Sequence, residues 1–565
     1  MCQQLTIARN TNNHLLHFCL KKGNTPTSFL LLLASSYLVG SIESFHLRFS
    51  KKYGHIASRQ IMSRSNDNGV STDSSSNKAM NVAIIGAGAA GLATARVLDR
   101  AGVSSITVFE KDSECAGVWR YNATTQESNV RRPMYRGLKT NLPKEIMGYR
   151  EFPWQSDEGQ DNESYVTHGQ VYQYLKEYAQ HFGLRRFVKY DCVVQQLTIK
   201  DDETSVASVT TGETLPMIEL AWAESVPTQS ETNNVQELYK EAFDAVFICN
   251  GHYAKPAFPN IPGLDTYFKG QTLHSIQYDD PSMFAEKVVL CVGGRASGSD
   301  LAREISAFAK QVYLSDSKCP AFDSAHEKPP TCGNVTWVPP TVRVSPHSIV
   351  HFKGKHSQSS YAVSDIDVII FCTGYDYQFP FIINPQSNLE LHCVPSERRV
   401  SPLYEQLWHA QYPNVAFIGL PHSILPFPFF ELQAEAVVAQ LLGTAPSLLP
   451  SLQERLVAAK RDAESGGPRN KRVQDTHYLG DFQWDYCRKL AKLSGRYDEA
   501  MENYIATNKA IYDHSSADRK RLFPGGPDTY RYTRYTRNDD EKTFRAVNEI
   551  ENGEPVTAIQ GSVAT

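Results

Sequence analysis

Short apolar runs that end in glycine-rich turns recur along this chain, the first from Asn81 to Ile85. It leads into Gly86-Ala87-Gly88-Ala89-Ala90-Gly91, a stretch of helical period through Arg100, and a second apolar run from Ile106 to Phe109 that ends in Glu110. Unbroken apolar runs of this length predict strands covered on both faces, and the order strand, turn, helix, strand predicts a parallel βαβ unit. The order returns downstream, with strand Val288 to Val292, turn Gly293-Gly294-Arg295-Ala296-Ser297-Gly298, helix Asp300 to Ala309 and strand Val312 to Ser315. Such a repeat predicts an α/β chain with two Rossmann-like dinucleotide-binding domains.

Two further apolar runs, Phe243 to Gly251 and Ile366 to Gly374, end in Cys-Asn-Gly and Cys-Thr-Gly. They read as crossings where the chain leaves one domain and returns, so the second domain is expected as an insertion into the first. The boundaries expected are an extension at 1–79, the first domain at 80–254, the inserted domain at 255–363, the rest of the first domain with C-terminal helices at 364–533, and a solvated polar tail at 534–565. The Thr-, Ser- and Glu-rich stretch from Lys200 to Tyr239 predicts hairpin strands with an exposed loop.

With 565 residues the chain has room for about two to four domains. A net charge of −4 with both signs interspersed leaves no basic stripe, which excludes nucleic acid as the partner. The 11 cysteines form no C-x-x-C, and Cys249, Cys291 and Cys372 lie in or beside apolar runs, so they read as reduced, packed thiols. No metal site is expected.

Before residue 80, Lys21 and Lys22 precede an apolar run from Phe29 to Val39, followed by a basic, acid-poor stretch from Phe45 to Arg64 and a polar run from Ser63 to Lys78. The apolar run is too short to span a bilayer, which takes about 20 residues, and fits a signal-peptide core. It predicts delivery to the endoplasmic reticulum or a plastid, with membrane association possible only through this segment. A disordered extension, a short anchor, or a start at Met62 or Met80 with a cytoplasmic protein are the alternatives.

In the first turn, Gly86, Gly88 and Gly91 suit a tight bend, close approach to a pyrophosphate and close helix packing, with Ala90 in the same turn. Glu110 follows Gly86 by 24 residues, the offset at which a carboxylate accepts from a ribose. Asp316 follows Gly293 by 23 residues, a position that favours an unphosphorylated ribose. Against a 2′-phosphate, two like unit charges about 4 Å apart repel by about 4 kcal/mol at an effective dielectric of about 20. Lys318 or Arg295 would reverse that repulsion.

Between the two turns stands Phe268-Lys269-Gly270-Gln271-Thr272-Leu273-His274-Ser275-Ile276-Gln277-Tyr278, the pattern F-x-G-x-x-x-H-x-x-x-Y. It resembles the fingerprint of the flavin-containing monooxygenases, and Tyr278 followed by Asp279 resembles their amine- and sulfide-oxidising branch more than the Baeyer-Villiger one. The resemblance implies that Phe268, Gly270 and His274 couple the FAD and NADP domains. Other segments match the family in order. Cys115 to Arg120 is similar to its G-G-x-W, with Ala116 for the first glycine, implying that Gly117, Val118 and Trp119 lie by the flavin. Asn141, in Tyr135 to Phe152, matches the Asn beside the reactive face of the flavin. Val292 to Asp300, with Gly293, Arg295, Ser297 and Gly298, resembles the second turn of plant S-oxygenating members. Thr373 and Gly374 resemble the F-A-T-G-Y return segment, and Gln433 falls on a helix start facing the flavin after Phe417 to Pro421. Phe427, Phe429 and Phe430 would line a substrate passage or pack in the core.

The resemblance implies FAD and NADPH as cofactors, with O2 and a small molecule as substrates. NADPH reduces FAD, O2 adds to give a C4a-hydroperoxyflavin, and a thioether sulfur or amine nitrogen takes the distal oxygen. Asn141 is the one side chain to which it gives a catalytic part. A flavoprotein redox sensor or oxidase that does not oxygenate, and an indole-pyruvate-type decarboxylating monooxygenase, stay open as alternatives. A flavin disulfide reductase would need a redox cysteine pair, and Cys115 has no near partner in sequence.

Overall fold

Strand Asn81–Ile85 buries four consecutive apolar side chains and lies inside a seven-stranded sheet. In spatial order the sheet is Leu403–Tyr404, Trp408–His409, Val415–Phe417, Ala245–Ile248, Asn81–Ile85, Ser105–Phe109 and Val188–Lys189. The last five run parallel and the first two are antiparallel additions. The structure is a computed structural model describing residues 80–548 except 122–131, 155–162, 201–205, 208–213, 226–236, 323–326, 356–360, 384–386, 395–396, 467–471 and 541. It also describes strands Leu5–Arg9, Leu16–Lys22 and Thr25–Leu30, which form an antiparallel sheet in a separate unit. Of the expected signal core only Phe29 and Leu30 fall in a described strand, and 31–79, with the basic and polar stretches, lies outside the described residues.

Helix Ala89–Arg100 follows the first strand and packs against helix Pro426–Leu441, which is buried along nearly its whole length. A helix buried on all sides needs cover all round, and Gln483–Leu493 supplies part of it, while its buried Glu431 and Glu435 find partners at the Arg150 N–H and the Arg100 and Arg150 guanidinium groups. Of the stretch expected to form hairpins, Met217–Glu224 is a strand that pairs antiparallel with Cys192–Lys200 and Tyr239–Phe243 at its two ends, and 201–205, 208–213 and 226–236, where an exposed loop is expected, lie outside the described residues. Among the described residues no helix is long and apolar enough to cross a membrane.

The second sheet runs Gln271–His274, Val368–Phe371, Val288–Val292, Gln311–Ser315, Val335–Val338 and Thr331–Cys332, with all but the last parallel. Helix Ala296–Ser306 follows its glycine turn and starts four residues before the expected Asp300, because the turn itself opens the helix. Three expectations are corrected by long-range pairing. Strand Val368–Phe371 lies inside the second sheet, so that domain runs past 363. The true crossing is a ribbon of Lys255–Pro256 against Tyr375–Asp376. Residues beyond 534 are not all a solvated tail, since Thr533–Asn538 and Thr543–Asn548 pair as a hairpin that buries Tyr535, Phe544 and Ala546.

Candidate functional site

Gly86 has φ +102°, and a Cβ there would stand 2.6 Å from the Cys249 carbonyl oxygen. A Cβ on Gly91 would stand 1.8 Å from the Gly86 carbonyl oxygen, so the helix can approach the strand only through glycine. Gly88 faces Gly117 across the turn, where a Cβ on Gly117 would come within 3.0 Å of Gly88 Cα. The helix begins with Gly88 at its N-cap, no side-chain cap and no acid in its first turn, which includes Ala90. Its first N–H groups are therefore available to an anion. Glu110 is 4 % exposed and accepts from the Ala87 N–H (2.7 Å) and the Asp112 N–H (3.0 Å). Burial pushes its carboxyl up from the ordinary value. Cradle, open helix end and buried acid together fit the pyrophosphate and ribose of FAD. Gly117, Val118 and Trp119 form one 3₁₀ turn beside the cradle, with the Trp119 ring edge-on to Phe427 at 6.4 Å. Ala116, before that turn, has φ +90° and is fully buried, so the departure from the G-G-x-W pattern falls where glycine is favoured.

The second turn repeats the plan. Gly293 has φ +109° with its missing Cβ 2.6 Å from the Cys372 carbonyl oxygen, and a Cβ on Gly298 would stand 1.7 Å from the Gly293 carbonyl oxygen. Arg295 is the N-cap of helix Ala296–Ser306, which again has no side-chain cap and no acid in its first turn. Arg295 and Ser297 are exposed, and the Arg295 guanidinium lies over the Tyr478 ring at 5.5 Å. Burial, helped by the Arg295 charge, pushes the His422 imidazole down to about 4. Asp316 is buried, its carboxyl carbon 2.3 Å from where a Cβ on Gly294 would be, and its Oδ1 accepts from the Lys318 N–H at 3.1 Å. Lys318 itself is exposed. This cradle too fits a dinucleotide, with the exposed Arg295 at the open helix end.

The fingerprint segment forms an edge strand of the second sheet. Buried His274 shares a 3.0 Å hydrogen bond through Nε2 with the Gly374 carbonyl oxygen, and its Nδ1 accepts from the Ile276 N–H at 3.2 Å. With both nitrogens engaged and burial pushing its pKa down, the ring ties the strand to the return crossing. Gly270 is required because a Cβ would stand 2.3 Å from the Asp367 carbonyl oxygen. Thr373 donates its hydroxyl to the Ala257 carbonyl oxygen at 2.6 Å, and Gly374 takes φ +80°, so both serve the crossing directly.

Asn141 sits half-buried in a bend held from several sides. Tyr278 packs edge-on to Tyr135 at 5.2 Å and donates to Glu304 Oε2 at 2.8 Å, and a Cβ on Gly137 would stand 2.8 Å from Glu304 Oε1. The Arg136 N–H donates to the Asp279 carbonyl oxygen at 3.2 Å, and Arg531 Nε donates to the Thr140 carbonyl oxygen at 3.0 Å. Gln433 is fully buried, and its Oε1 accepts from the Gly419 N–H at 2.9 Å, which fixes the last strand to its helix. Phe427 and Phe429 are core residues, Phe427 stacking on Tyr149 at 5.1 Å, while Phe430 lies under Gly419. Sequence reasoning passed over Tyr135, Glu304 and Arg531. Tyr135 opens the stretch singled out for Asn141, whereas nothing in the local pattern marks Arg531.

The flavin-binding monooxygenase-like family model matches residues 79–321 and 332–500. The flavin-containing monooxygenase FMO GS-OX5 of Arabidopsis thaliana is 34 % identical over 457 residues, 77 % of this chain and 89 % of that protein. Among solved structures, the S-allyl-L-cysteine S-oxygenase of Allium sativum is 30 % identical with a TM-score of 0.66, over 82 % of this chain and 96 % of its own. The fold is also shared with Tmm of Pelagibacter sp., 21 % identical with a TM-score of 0.59, over 80 % of this chain and 93 % of its own.

Proposed function

The chain belongs to the flavin-binding monooxygenase-like family and is a flavin-dependent monooxygenase, and from that premise we propose that it spends NADPH and O2 to oxygenate the sulfur of a small thioether. The observation that carries the choice of sulfur is the likeness, over most of both chains, to a plant S-oxygenase. In balance, NADPH, a proton, O2 and the thioether give NADP⁺, water and the sulfoxide. Bound FAD supplies the redox and oxygen chemistry, and the protein supplies binding, orientation and shielding.

In this reading the Gly86–Gly91 cradle takes the FAD pyrophosphate and Glu110 its ribose. The Gly293–Gly298 cradle takes NADPH, with Ser297 and Arg295 at the helix start. Lys318 gives the 2′-phosphate a positive charge, while Asp316 is drawn back against Gly294 and accepts from the Lys318 N–H. Asn141 offers its amide to the reactive edge of the flavin, where a water-poor pocket strengthens each hydrogen bond. His274 moves no proton, since its ring is engaged with Gly374 and Ile276.

Aerobic product analysis by mass spectrometry, with one thioether and one tertiary amine, tests the reading. Sulfoxide without N-oxide is expected. N-oxide alone would move the protein to the amine-oxidising branch, and NADPH consumption yielding only hydrogen peroxide would make it an oxidase. We also propose that residues 1–79 carry a removable signal for the endoplasmic reticulum or a plastid. An unprocessed N-terminus in mature protein from its source would contradict that.

A further inference from the structure

We propose that Arg531 is a positioning residue that locks the Asn141 bend to the second nucleotide helix, so that occupancy of the second cradle sets the geometry beside the flavin. The inference rests on the reading above, in which Asn141 faces FAD and the Gly293–Gly298 turn holds NADPH. Arg531 lies past residue 500, where the family match ends, so the family pattern does not supply it.

Its side chain is 6 % exposed and reaches three parts of the molecule. Nε donates to the Thr140 carbonyl oxygen (3.0 Å) and Nη2 to the Lys139 carbonyl oxygen (3.4 Å), in the residues just before Asn141. Nη2 also donates to Asp300 Oδ2 (2.9 Å) and Nη1 to Asp300 Oδ1 (3.3 Å), on helix Ala296–Ser306. Nη1 completes the set at Asp528 Oδ2 (2.6 Å). The guanidinium fork thus has an acceptor for each of its N–H donors. Arg303 donates to Asp300 Oδ1 at 2.9 Å and pairs with Asp528 at 3.1 Å, so two acids face two arginines and the quartet is neutral.

An ionic quartet in which Arg531 is buried and its three partners are half-buried is poor evidence for stability, because desolvation and solvent screening offset much of its attraction. What such a group does supply is fixed geometry, and the planar fork of arginine holds it where a lysine ammonium would not. Asp300 lies in the second turn of the helix whose first N–H groups form the second cradle. A shift of that helix on binding is therefore passed by direct hydrogen bonds to Thr140, the neighbour of Asn141. Tyr278, through Glu304 and Tyr135, ties the start of the same segment to the same helix.

The test uses FAD-loaded wild type, Arg531→Lys and Asp300→Asn. Amide hydrogen exchange at residues 138–141 is followed with and without NADP⁺, together with the hydrogen peroxide released per NADPH consumed. NADP⁺ is expected to slow exchange there in wild type and to bind both variants without slowing it. In the variants NADPH, a proton and O2 then give more NADP⁺ and hydrogen peroxide, and thioether turnover falls on the order of 10- to 100-fold, as for a reacting group displaced by about 1 Å. Lower thermal stability with unchanged NADP⁺-dependent protection and unchanged peroxide yield would show a merely structural residue and overturn the proposal. If Arg531→Lys does not fold, Asp300→Asn decides by the same readouts. If wild type oxygenates no substrate, the functional reading fails while the exchange experiment still decides this one.

Discussion

At Gly86 and at Gly293 a side chain would stand 2.6 Å from a backbone carbonyl, that of Cys249 in one turn and of Cys372 in the other. The helix glycines Gly91 and Gly298 match as closely, at 1.8 and 1.7 Å from the carbonyl before them. Where the chain packs on itself the two cradles are the same object. They part where a ligand would lie. Gly88 faces a second glycine segment at Gly117, while its counterpart Arg295 is exposed and rests on Tyr478. The acids differ with their neighbours too. Glu110 reaches the Ala87 N–H from far enough away to leave that residue a methyl group, whereas the shorter Asp316 lies where a Cβ on Gly294 would be. Steric needs of the backbone are thus repeated, and the ligand-facing positions are free to diverge.

The largest expected effect breaks one cradle at a time. Gly91→Ala or Gly298→Ala forces a Cβ into a carbonyl oxygen and costs about 1–3 kcal/mol or more, as overpacking does. Gly91→Ala should lose FAD, read as flavin absorbance per protein after gel filtration. Gly298→Ala should keep FAD and lose its response to NADPH. A smaller change sharpens the contrast at the ribose. Lys318→Ala should raise the KM for NADPH about tenfold, near the 1.4 kcal/mol of one charge-assisted contact, and leave that for NADH unchanged in steady-state kinetics.

The first cradle's acid gives a pH dependence. Burial raises the folded pKa of Glu110 above its unfolded value. Its ionisation therefore opposes folding, and stability falls as pH rises from the unfolded toward the folded pKa. Denaturant titrations of the apoprotein across that window should show a flatter slope in Glu110→Gln than in wild type. The smallest effect is at Ala116, whose φ of +90° suits glycine. Ala116→Gly should raise stability by about 0.5–1 kcal/mol, the left-handed strain relieved less the added chain entropy.

Both cradles were legible because strand, turn, helix and acid lie within one short segment. The strands Asn81–Ile85 and Val288–Val292 match their apolar runs residue for residue. Less legible was whatever depends on partners far along the chain. Val368–Phe371 looks in sequence like a strand of the first domain, and only its register with Val289 to Val292 places it in the second. The polar stretch beyond Arg534 hides Tyr535, Phe544 and Ala546, which gain cover only once the hairpin lies on the core. The resemblance places Thr373 and Gln433 at the cofactor, and what local pattern does not reveal is that each also holds backbone, Thr373 Oγ1 at the Ala257 carbonyl oxygen and Gln433 Oε1 at the Gly419 N–H. Arg531 finds Thr140 and Asp300 at separations no local periodicity encodes.

On the proposed function, two cradles of one plan hold two different cofactors, the second feeding electrons to the first. Anaerobic titration of FAD-loaded protein with NADPH, followed by flavin absorbance, decides whether they do. Bleaching at one NADPH per flavin in wild type, with none in a Gly298→Ala variant that retains its FAD, is the predicted result. Equal bleaching in wild type and Gly298→Ala, or no bleaching of wild type by NADPH, would contradict it.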